Sequence, residues 1–149
     1  MSKFLTDLEK HKNLVETKLN EISDELRNRA ILHDNSKYCD EEKIWFEKAE
    51  KYDRGHFDKY EDWLNTTKPI IAPALDHHYA NNRHHPEHFE NGIDDMSLID
   101  LIEMVVDWQA SAECRNTKLD TSYSFKRFKI EPQLQKIILN TLKIINGEE

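Results

Sequence analysis

A histidine and an aspartate stand side by side in the segment His33-Asp34-Asn35-Ser36-Lys37. A neutral imidazole and a carboxylate from adjacent residues can hold one divalent cation or bridge a pair of cations. The dipeptide is common, so it indicates a metal site only where the fold brings further ligands to it. The chain offers such ligands in His11 upstream, in the histidine-rich segment from His77 to His88, and in Asp107.

Two helical patterns carry His11 and His33. In residues 2–19 the apolar side chains recur with the spacing of an amphipathic helix, and His11 falls on their face. In residues 21–34 His33 continues the apolar face in the same way, so both histidines are predicted to point inward. A lone histidine on such a face is usually a buried side chain satisfied by a hydrogen bond. The pattern leaves open whether the two runs form one helix or bend near Asn20.

The histidine-rich segment is predicted to join a short helix to a loop. In the predicted helix at 73–81, His78 shares the apolar face and His77 lies about 100° round the axis. His85 precedes a proline, which pushes it out of the α region of backbone conformation. His84 and His85 are therefore expected in rigid local geometry beside a helix N-terminus. The spacing does not decide which member of each pair binds metal.

Residues 97–115 form the most apolar predicted helix. Ser97 with Asp100 resembles a capping box. Apolar side chains cover much of the circumference, which is typical of a helix at the centre of a fold. On this helix Asp100, Glu103 and Asp107 form one acidic stripe. The stripe is either the solvent-exposed face or an edge that brings Asp107 to a metal.

Composition and the remaining segments favour an all-α fold. Only three glycines and four prolines occur among 149 residues, and 34% of the chain is charged, which is typical of helices joined by short loops. The length suits one domain. We predict a single-domain helical bundle of about six to seven helices over residues 1–149. Its other predicted parts are helices at 40–52, 56–65 and 132–145, a connector at 66–73 and an irregular or weakly helical segment at 116–131.

Charge and cysteine content limit the classes of function. A net charge of −8 argues against non-specific binding of nucleic acid. No apolar run approaches the roughly 20 residues of a membrane-spanning helix, and the N-terminus lacks the apolar core of a signal peptide. The two cysteines form no CxxC pair and suit a reducing compartment. We therefore expect a cytoplasmic protein without a membrane partner, whose apolar C-terminal helix could serve as the face of a homodimer.

The order of the candidate ligands resembles the HD-domain superfamily of metal-dependent phosphohydrolases. In that superfamily a helix-borne histidine precedes a His-Asp pair, further histidines follow, and a late helix supplies an aspartate. The offset of Lys37 is similar to the HDxxK form of the motif. More narrowly, HDNSK, HHYANNRHHPEHF and MSLIDLIEMVVDW are similar to a small HD-like family of bacteria and phages that is described as of unknown function. The chain departs from the cyclic-dinucleotide branch in lacking its GYP motif and in the short spacing from His78 to His84.

The resemblance implies a metal-dependent hydrolase, with one or two divalent transition metal ions such as Mn, Fe, Zn, Co or Ni. The principal ion would be held by His11, His33, Asp34 and Asp107. Asp34 would bridge to a second ion, whose other ligands would be His78, His84 and His85. Water activated by the metal would attack the phosphorus of a small phosphorylated substrate, such as a nucleotide. Glu87 would orient a ligand histidine, and the candidates for binding phosphate are Lys37, Arg83 and Arg115.

Other classes of protein account less well for these residues. A ferritin-like di-metal bundle would carry Glu-x-x-His pairs, a zincin would carry HExxH, and a serine hydrolase would carry GxSxG. The sequence contains none of the three. The main alternative is a non-catalytic HD-fold module that binds metal or a nucleotide. A metal-free helical structural protein is a further alternative.

Overall fold

The structure is a computed structural model that describes residues 2–52 and 60–148, apart from the side chains of Tyr60 and Trp63. The described residues form helices joined by turns and short loops, with no strand among them, so the predicted all-α class is confirmed. The chain divides into two compact units, Met1–His33 and Asp34–Glu149. We describe each unit by itself. The single domain expected from the chain length stays a prediction.

The first unit is one long helix, α1, at Lys3–Leu32. Ser2 caps its N-terminus, because the Ser2 hydroxyl accepts a hydrogen bond from the backbone N–H of Leu5 at 3.3 Å. The sequence left open a bend near Asn20, and the helix runs through that position unbroken. A single helix has no core of its own, and α1 buries none of its residues. The core-facing stripe predicted for this helix, with His11 on it, is therefore exposed within the unit.

The second unit contains the remaining helices of the described chain. Its α-helices are α2 at Asp40–Glu50, α3 at Tyr60–Asn81, α4 at Leu98–Cys114, α5 at Ser122–Arg127 and α6 at Pro132–Ile145. Single 3-10 turns occur at Asn35–Tyr38, Pro86–His88 and Gly92–Asp95. The predictions of α2, α4 and α6 are confirmed to within two residues at each end. Residues 56–59 of the helix predicted at 56–65 lie outside the described residues.

The connector predicted at 66–73 is wrong. These residues belong to α3, with Pro69 and Pro73 inside the helix. A proline within a helix removes one backbone hydrogen bond and destabilises the helix by about 3 kcal/mol. For this reason the two prolines predicted a break between helices. Here both prolines lie on the exposed side of the helix, while Thr67, Ala74 and His78 form a buried face that continues past them. This face packs along α2, and its packing outweighs the local preference of the prolines.

The apolar core of the second unit is built around α4, as its composition predicted. Met104 and Val105 of α4 pack with Ile138 and Leu142 of α6. Phe125 of α5 and Ile130 complete the buried cluster. Within the described part of the chain, no helix combines the length and the apolar character needed to cross a membrane.

Candidate metal centre

The candidate centre begins at Asp34, where the backbone turns sharply. Asp34 has φ 56° and ψ 15°, in the left-handed region that few residues other than glycine adopt. Its Oδ2 atom accepts a hydrogen bond of 2.5 Å from the ammonium group of Lys37 in the following 3-10 turn. Its Oδ1 atom lies 3.5 Å from Nε2 of His78 and 3.5 Å from Nε2 of His84. The turn therefore directs one carboxylate oxygen at two imidazoles.

His78 is oriented by a buried carboxylate. It lies on the last turns of α3, and its Nδ1 atom is 2.8 Å from Oε2 of Glu42 on α2. A carboxylate only accepts hydrogen bonds, so Nδ1 carries the proton and Nε2 presents a lone pair. That Nε2 atom faces Asp34 and lies 2.9 Å from Nε2 of His85. The donor atom of His78 is thus fixed by a second carboxylate on the far side of the ring.

His84 has the same arrangement with a different partner. Its side chain is buried, and its Nδ1 atom lies 3.3 Å from Oε1 of Glu103 on α4. The Nε2 atom again faces Asp34. Metal-binding histidines commonly donate their second ring N–H to a carboxylate in this way, which fixes the tautomer and makes the ligand nitrogen more basic. Two histidines of one cluster show this arrangement here.

Donor atoms from three segments of the second unit meet at this point. One ligand atom each of Asp34, His78, His84 and His85 lie within 4.8 Å of one another. A carboxylate oxygen of Asp107 on α4 lies within the same distance of the Asp34 and His84 donors. The acidic stripe of α4 therefore faces inward: Asp100 is fully buried, and Glu103 and Asp107 are half-buried. The sequence left open whether this stripe is exposed to solvent, and that alternative is wrong.

Burial keeps the central imidazoles neutral. Burial, followed by the charges of His84 and His78, lowers the pKa of His85 to about 3. Burial, followed by the positive charge of Lys37, also lowers the pKa of His78, although the carboxylate of Asp34 opposes this. A divalent ion binds the neutral form of histidine, so these two rings are in the binding form at neutral pH.

Glu42 stays ionised although it is fully buried. Burial raises the pKa of its carboxyl group, but hydrogen bonds from His77, Ser36 and His78 outweigh that effect, and the pKa is lowered. A buried carboxylate is stable only where such donors surround it. Its two oxygens are divided between the neighbouring histidines: Oε1 lies 2.7 Å from Nδ1 of His77, and Oε2 faces His78.

A buried amide ties the Asp34 turn to α3. Asn82 donates to the hydroxyl of Ser36 at 2.7 Å and to the backbone carbonyl of His78 at 2.7 Å. Ser36 is two residues after Asp34, and Asn82 is two residues before His84. This network fixes the distance between the carboxylate and the histidines.

The spacing of the donor atoms fits a first-row divalent ion. Ligand atoms about 2.1 Å from such an ion are separated by roughly 3.4 Å in a tetrahedral site and 3.0 Å between neighbours in an octahedral site. The separations measured here are 3.5, 3.5 and 2.9 Å. The donor set of imidazole nitrogen and carboxylate oxygen, without thiolate, suits Mn, Fe, Co, Ni or Zn. The residues present therefore fit the ion that the sequence predicts.

The structure brings together five predicted ligands of the second unit, but only one of the three predicted phosphate-binding residues lies with them. Lys37 lies at the cluster, paired with Asp34. Arg83 instead binds the buried carboxylate of Asp100 through two hydrogen bonds of 3.1 Å each, at the N-terminus of α4. Arg115 caps the C-terminus of α4 and is exposed.

Glu87 and the remaining histidines have other contacts. Glu87 pairs with Arg127, rather than with a ligand histidine as expected. His88 donates to the carbonyl of Tyr79 at 2.8 Å. Both His77 and His78 contact Glu42, but only His78 has a donor atom beside those of Asp34, His84 and His85. His11 and His33 belong to the first unit, and their place in the ligand set stays a prediction.

Sequence reasoning missed the residues that orient the ligands, chiefly Glu42, Glu103, Ser36 and Asn82. Glu42 was interpreted as an acidic residue in the first turn of a helix, where it complements the helix dipole. A signal was nevertheless present: Glu42, Trp45, Phe46 and Ala49 follow the i, i+3, i+4, i+7 spacing of one face, and Ala49 is buried. An acidic residue on the packed face of a helix needs a partner, and histidines are the available donors.

Comparison with known proteins connects the chain to one family. Residues 1–144 match the profile of a family described as "Family of unknown function (DUF5662)". No curated protein and no solved structure matches the chain.

Proposed function

The chain thus belongs to the DUF5662 family, whose function is unknown, and we propose that it is a metal-dependent phosphohydrolase of the HD type. The observation that supports this proposal is the cluster of Asp34 with three histidines, two of which are oriented by carboxylates. Structural roles alone do not require three imidazoles and a carboxylate to converge on one point. The same arrangement is common at catalytic metal centres.

The second unit provides two overlapping ligand groups. The first contains Asp34, His78, His84 and His85, and the second contains Asp34, His84 and Asp107. Asp34 belongs to both, which supports its expected role as the carboxylate that bridges two ions. The number of ions bound is accordingly one or two. His33 directly precedes Asp34 in the chain, and the resemblance adds His33 and His11 to the ligands.

The expected substrate is a small phosphate ester, such as a nucleotide. A bound divalent ion would supply the Lewis acidity that lowers the pKa of a water molecule toward neutrality and offsets phosphoryl charge. Lys37 is the cation placed to contact a phosphoryl oxygen, since its side chain is partly exposed and its ammonium group already lies against Asp34. Arg83 is engaged with Asp100, so we assign it to holding α4 rather than to the substrate.

The test is metal content followed by turnover. Wild type, Asp34→Ala and the exposed-site control Asp94→Ala would be purified alike and analysed by elemental mass spectrometry. We expect one or two equivalents of a transition metal in wild type and in the control, and a small fraction of that in Asp34→Ala with unchanged helix content. Wild type would then be assayed with Mn²⁺ on a series of phosphomonoesters and phosphodiesters.

Three outcomes separate the possible functions. Metal together with turnover that Asp34→Ala lacks supports the hydrolase. Metal without turnover across the series overturns it in favour of a non-catalytic binding module. Absence of metal from wild type, even after incubation with Mn²⁺, Fe²⁺ or Zn²⁺, overturns the metal centre itself.

A further inference from the structure

A second group of metal-binding side chains lies beside the candidate centre and shares no residue with it. Ligand atoms of Cys39, Glu41 and His77 lie within 4.8 Å of one another. Cys39 is the N-cap of α2, Glu41 is in the first turn of α2, and His77 is on α3. The three donors therefore come from two helices that pack against each other.

His77 is held by the same buried carboxylate that orients His78, and the side-chain amide of Asn81 lies 3.4 Å from its Nε2 atom. Its Nδ1 atom lies 2.7 Å from Oε1 of Glu42. Because the carboxylate accepts, Nδ1 of His77 carries the proton, and Nε2 is the nitrogen that retains a lone pair. This is the carboxylate–histidine arrangement typical of metal ligands. The ring is about one-third exposed, at 37% of its side-chain surface, so an ion can reach it from solvent.

The thiol of Cys39 is also held in place. Its Sγ atom donates to the backbone carbonyl of Ser36 at 2.7 Å, and the residue is half-buried. Glu41 is exposed and completes the group from the solvent side. A thiolate, an imidazole and a carboxylate together match the ligand types of zinc, and three protein ligands leave a fourth position for water or another ligand.

We propose that Cys39, Glu41 and His77 form a second, thiolate-containing binding site for zinc or a similar divalent ion. Coordination removes the thiol proton, which passes to solvent, and replaces the hydrogen bond to Ser36 with a bond from sulfur to metal. The site differs from the Asp34 cluster in containing sulfur, so softer ions such as Zn²⁺, Co²⁺ and Cd²⁺ prefer it over Mn²⁺. It does not depend on the proposed hydrolase activity.

Glu42 links the two sites. Its Oε1 atom contacts His77 of the thiolate site, and its Oε2 atom contacts His78 of the central cluster. One carboxylate thus fixes a ligand nitrogen in each site. Metal binding at one site is therefore expected to alter the metal affinity of the other site, because a histidine from each site is hydrogen-bonded to the carboxylate of Glu42.

The experiment uses Co²⁺ as a spectroscopic probe on the full chain. A Co²⁺–thiolate bond gives a near-ultraviolet charge-transfer band that nitrogen and oxygen ligands do not give. Titrations would be run on wild type, Cys39→Ser, His77→Gln and Cys114→Ser. Cys114 is the matched control, since it is the other free cysteine and is exposed on α4.

We expect the band in wild type and in Cys114→Ser, its loss in Cys39→Ser, and an affinity weaker by about tenfold or more in His77→Gln. A band that is absent from wild type at saturating Co²⁺, or that persists in Cys39→Ser, overturns the proposal. Asp34→Ala separates the two sites. If it keeps the band while wild type shows no turnover, the proposed function fails and the thiolate site stands.

A second measurement does not depend on how the Cys39 variant folds. In the Cys114→Ser protein only one thiol remains, so its rate of reaction with a thiol reagent reports on Cys39 alone. Zn²⁺ is expected to slow that reaction by about tenfold or more, because a coordinated thiolate is shielded from the reagent. An unchanged rate at millimolar Zn²⁺ contradicts the proposal.

Discussion

Glu42→Gln is the substitution that best tests how the candidate centre is held together. The change preserves the size of a fully buried side chain but replaces one carboxylate oxygen with an amide NH₂ group. Glu42 now accepts from Nδ1 of His77 at 2.7 Å and from Nδ1 of His78 at 2.8 Å. Glutamine can accept from only one of them and faces the other with a donor.

The expected loss follows from those two contacts. A hydrogen bond to a charged group contributes about 1.5–3 kcal/mol, so the loss of one such bond should lower the free energy of unfolding by about 2 kcal/mol. The histidine that faces the amide must move its proton to Nε2, which removes the lone pair that a metal would use. Loss of an orienting carboxylate commonly weakens metal affinity by about 10–100-fold.

The assay is urea unfolding in the presence of a chelator, together with metal titration against a competing dye. Glu50→Gln is the matched control, since it makes the same chemical change at an exposed position on the same helix. The control substitution should change neither the free energy of unfolding nor the metal affinity. If Glu42→Gln binds metal with the affinity of wild type, Glu42 does not orient the ligands, and our interpretation of the cluster is wrong.

Three further predictions concern the second unit. The pKa of His85 is lowered to about 3 from 6.5. Between these two pH values the unfolded chain therefore binds a proton that the folded chain does not. The free energy of unfolding should then fall on acidification below pH 6.5 by up to about 1.4 kcal/mol per pH unit. Urea midpoints measured from pH 7 to pH 4 should fall less steeply in His85→Leu, and an unchanged slope would contradict this. Arg83→Met should lower the free energy of unfolding by about 1–3 kcal/mol, because it leaves the buried carboxylate of Asp100 without its two guanidinium hydrogen bonds. The measurement is thermal unfolding, in which the control Arg115→Met, at an exposed position, should show little change. Met104→Ala should lower the free energy of unfolding by about 2–5 kcal/mol, because it opens a cavity in the core. The metal affinity of the folded protein should stay the same.

The helices that the sequence predicted well are those with strong end signals. Ser97 and Asp100 form the predicted capping box at the start of α4, and Pro132 begins α6. These signals are local, since a side chain bonds to backbone within one turn. The prolines at 69 and 73 are also local signals, and there the prediction was wrong because packing of α3 along α2 outweighs them. Local rules predict helix ends where tertiary packing agrees with them.

The sequence singled out the side chains that converge at the candidate site, but not the residues that orient them. Asp34, His78, His84, His85 and Asp107 could be selected because imidazole and carboxylate are the types that bind metal. The partners of the histidines, such as Glu42 and Glu103, are 36 and 19 residues away from them in the chain. Glutamate is common on helix surfaces, so its type alone is uninformative. Only the fold shows that these two side chains face inward.

The two prolines of α3 also affect how local opening could spread along that helix. Proline lacks an N–H group, so the carbonyls of Asn65 and Pro69 have no hydrogen-bond partner four residues further on. The backbone ladder is thus weakest between residues 65 and 73, ahead of the turns that carry His77 and His78. Unfolding of the N-terminal turns of α3 therefore need not spread to the turns that carry the histidines. In amide hydrogen exchange, α3 should behave as two segments, and the amides of the segment next to the candidate metal centre should exchange more slowly.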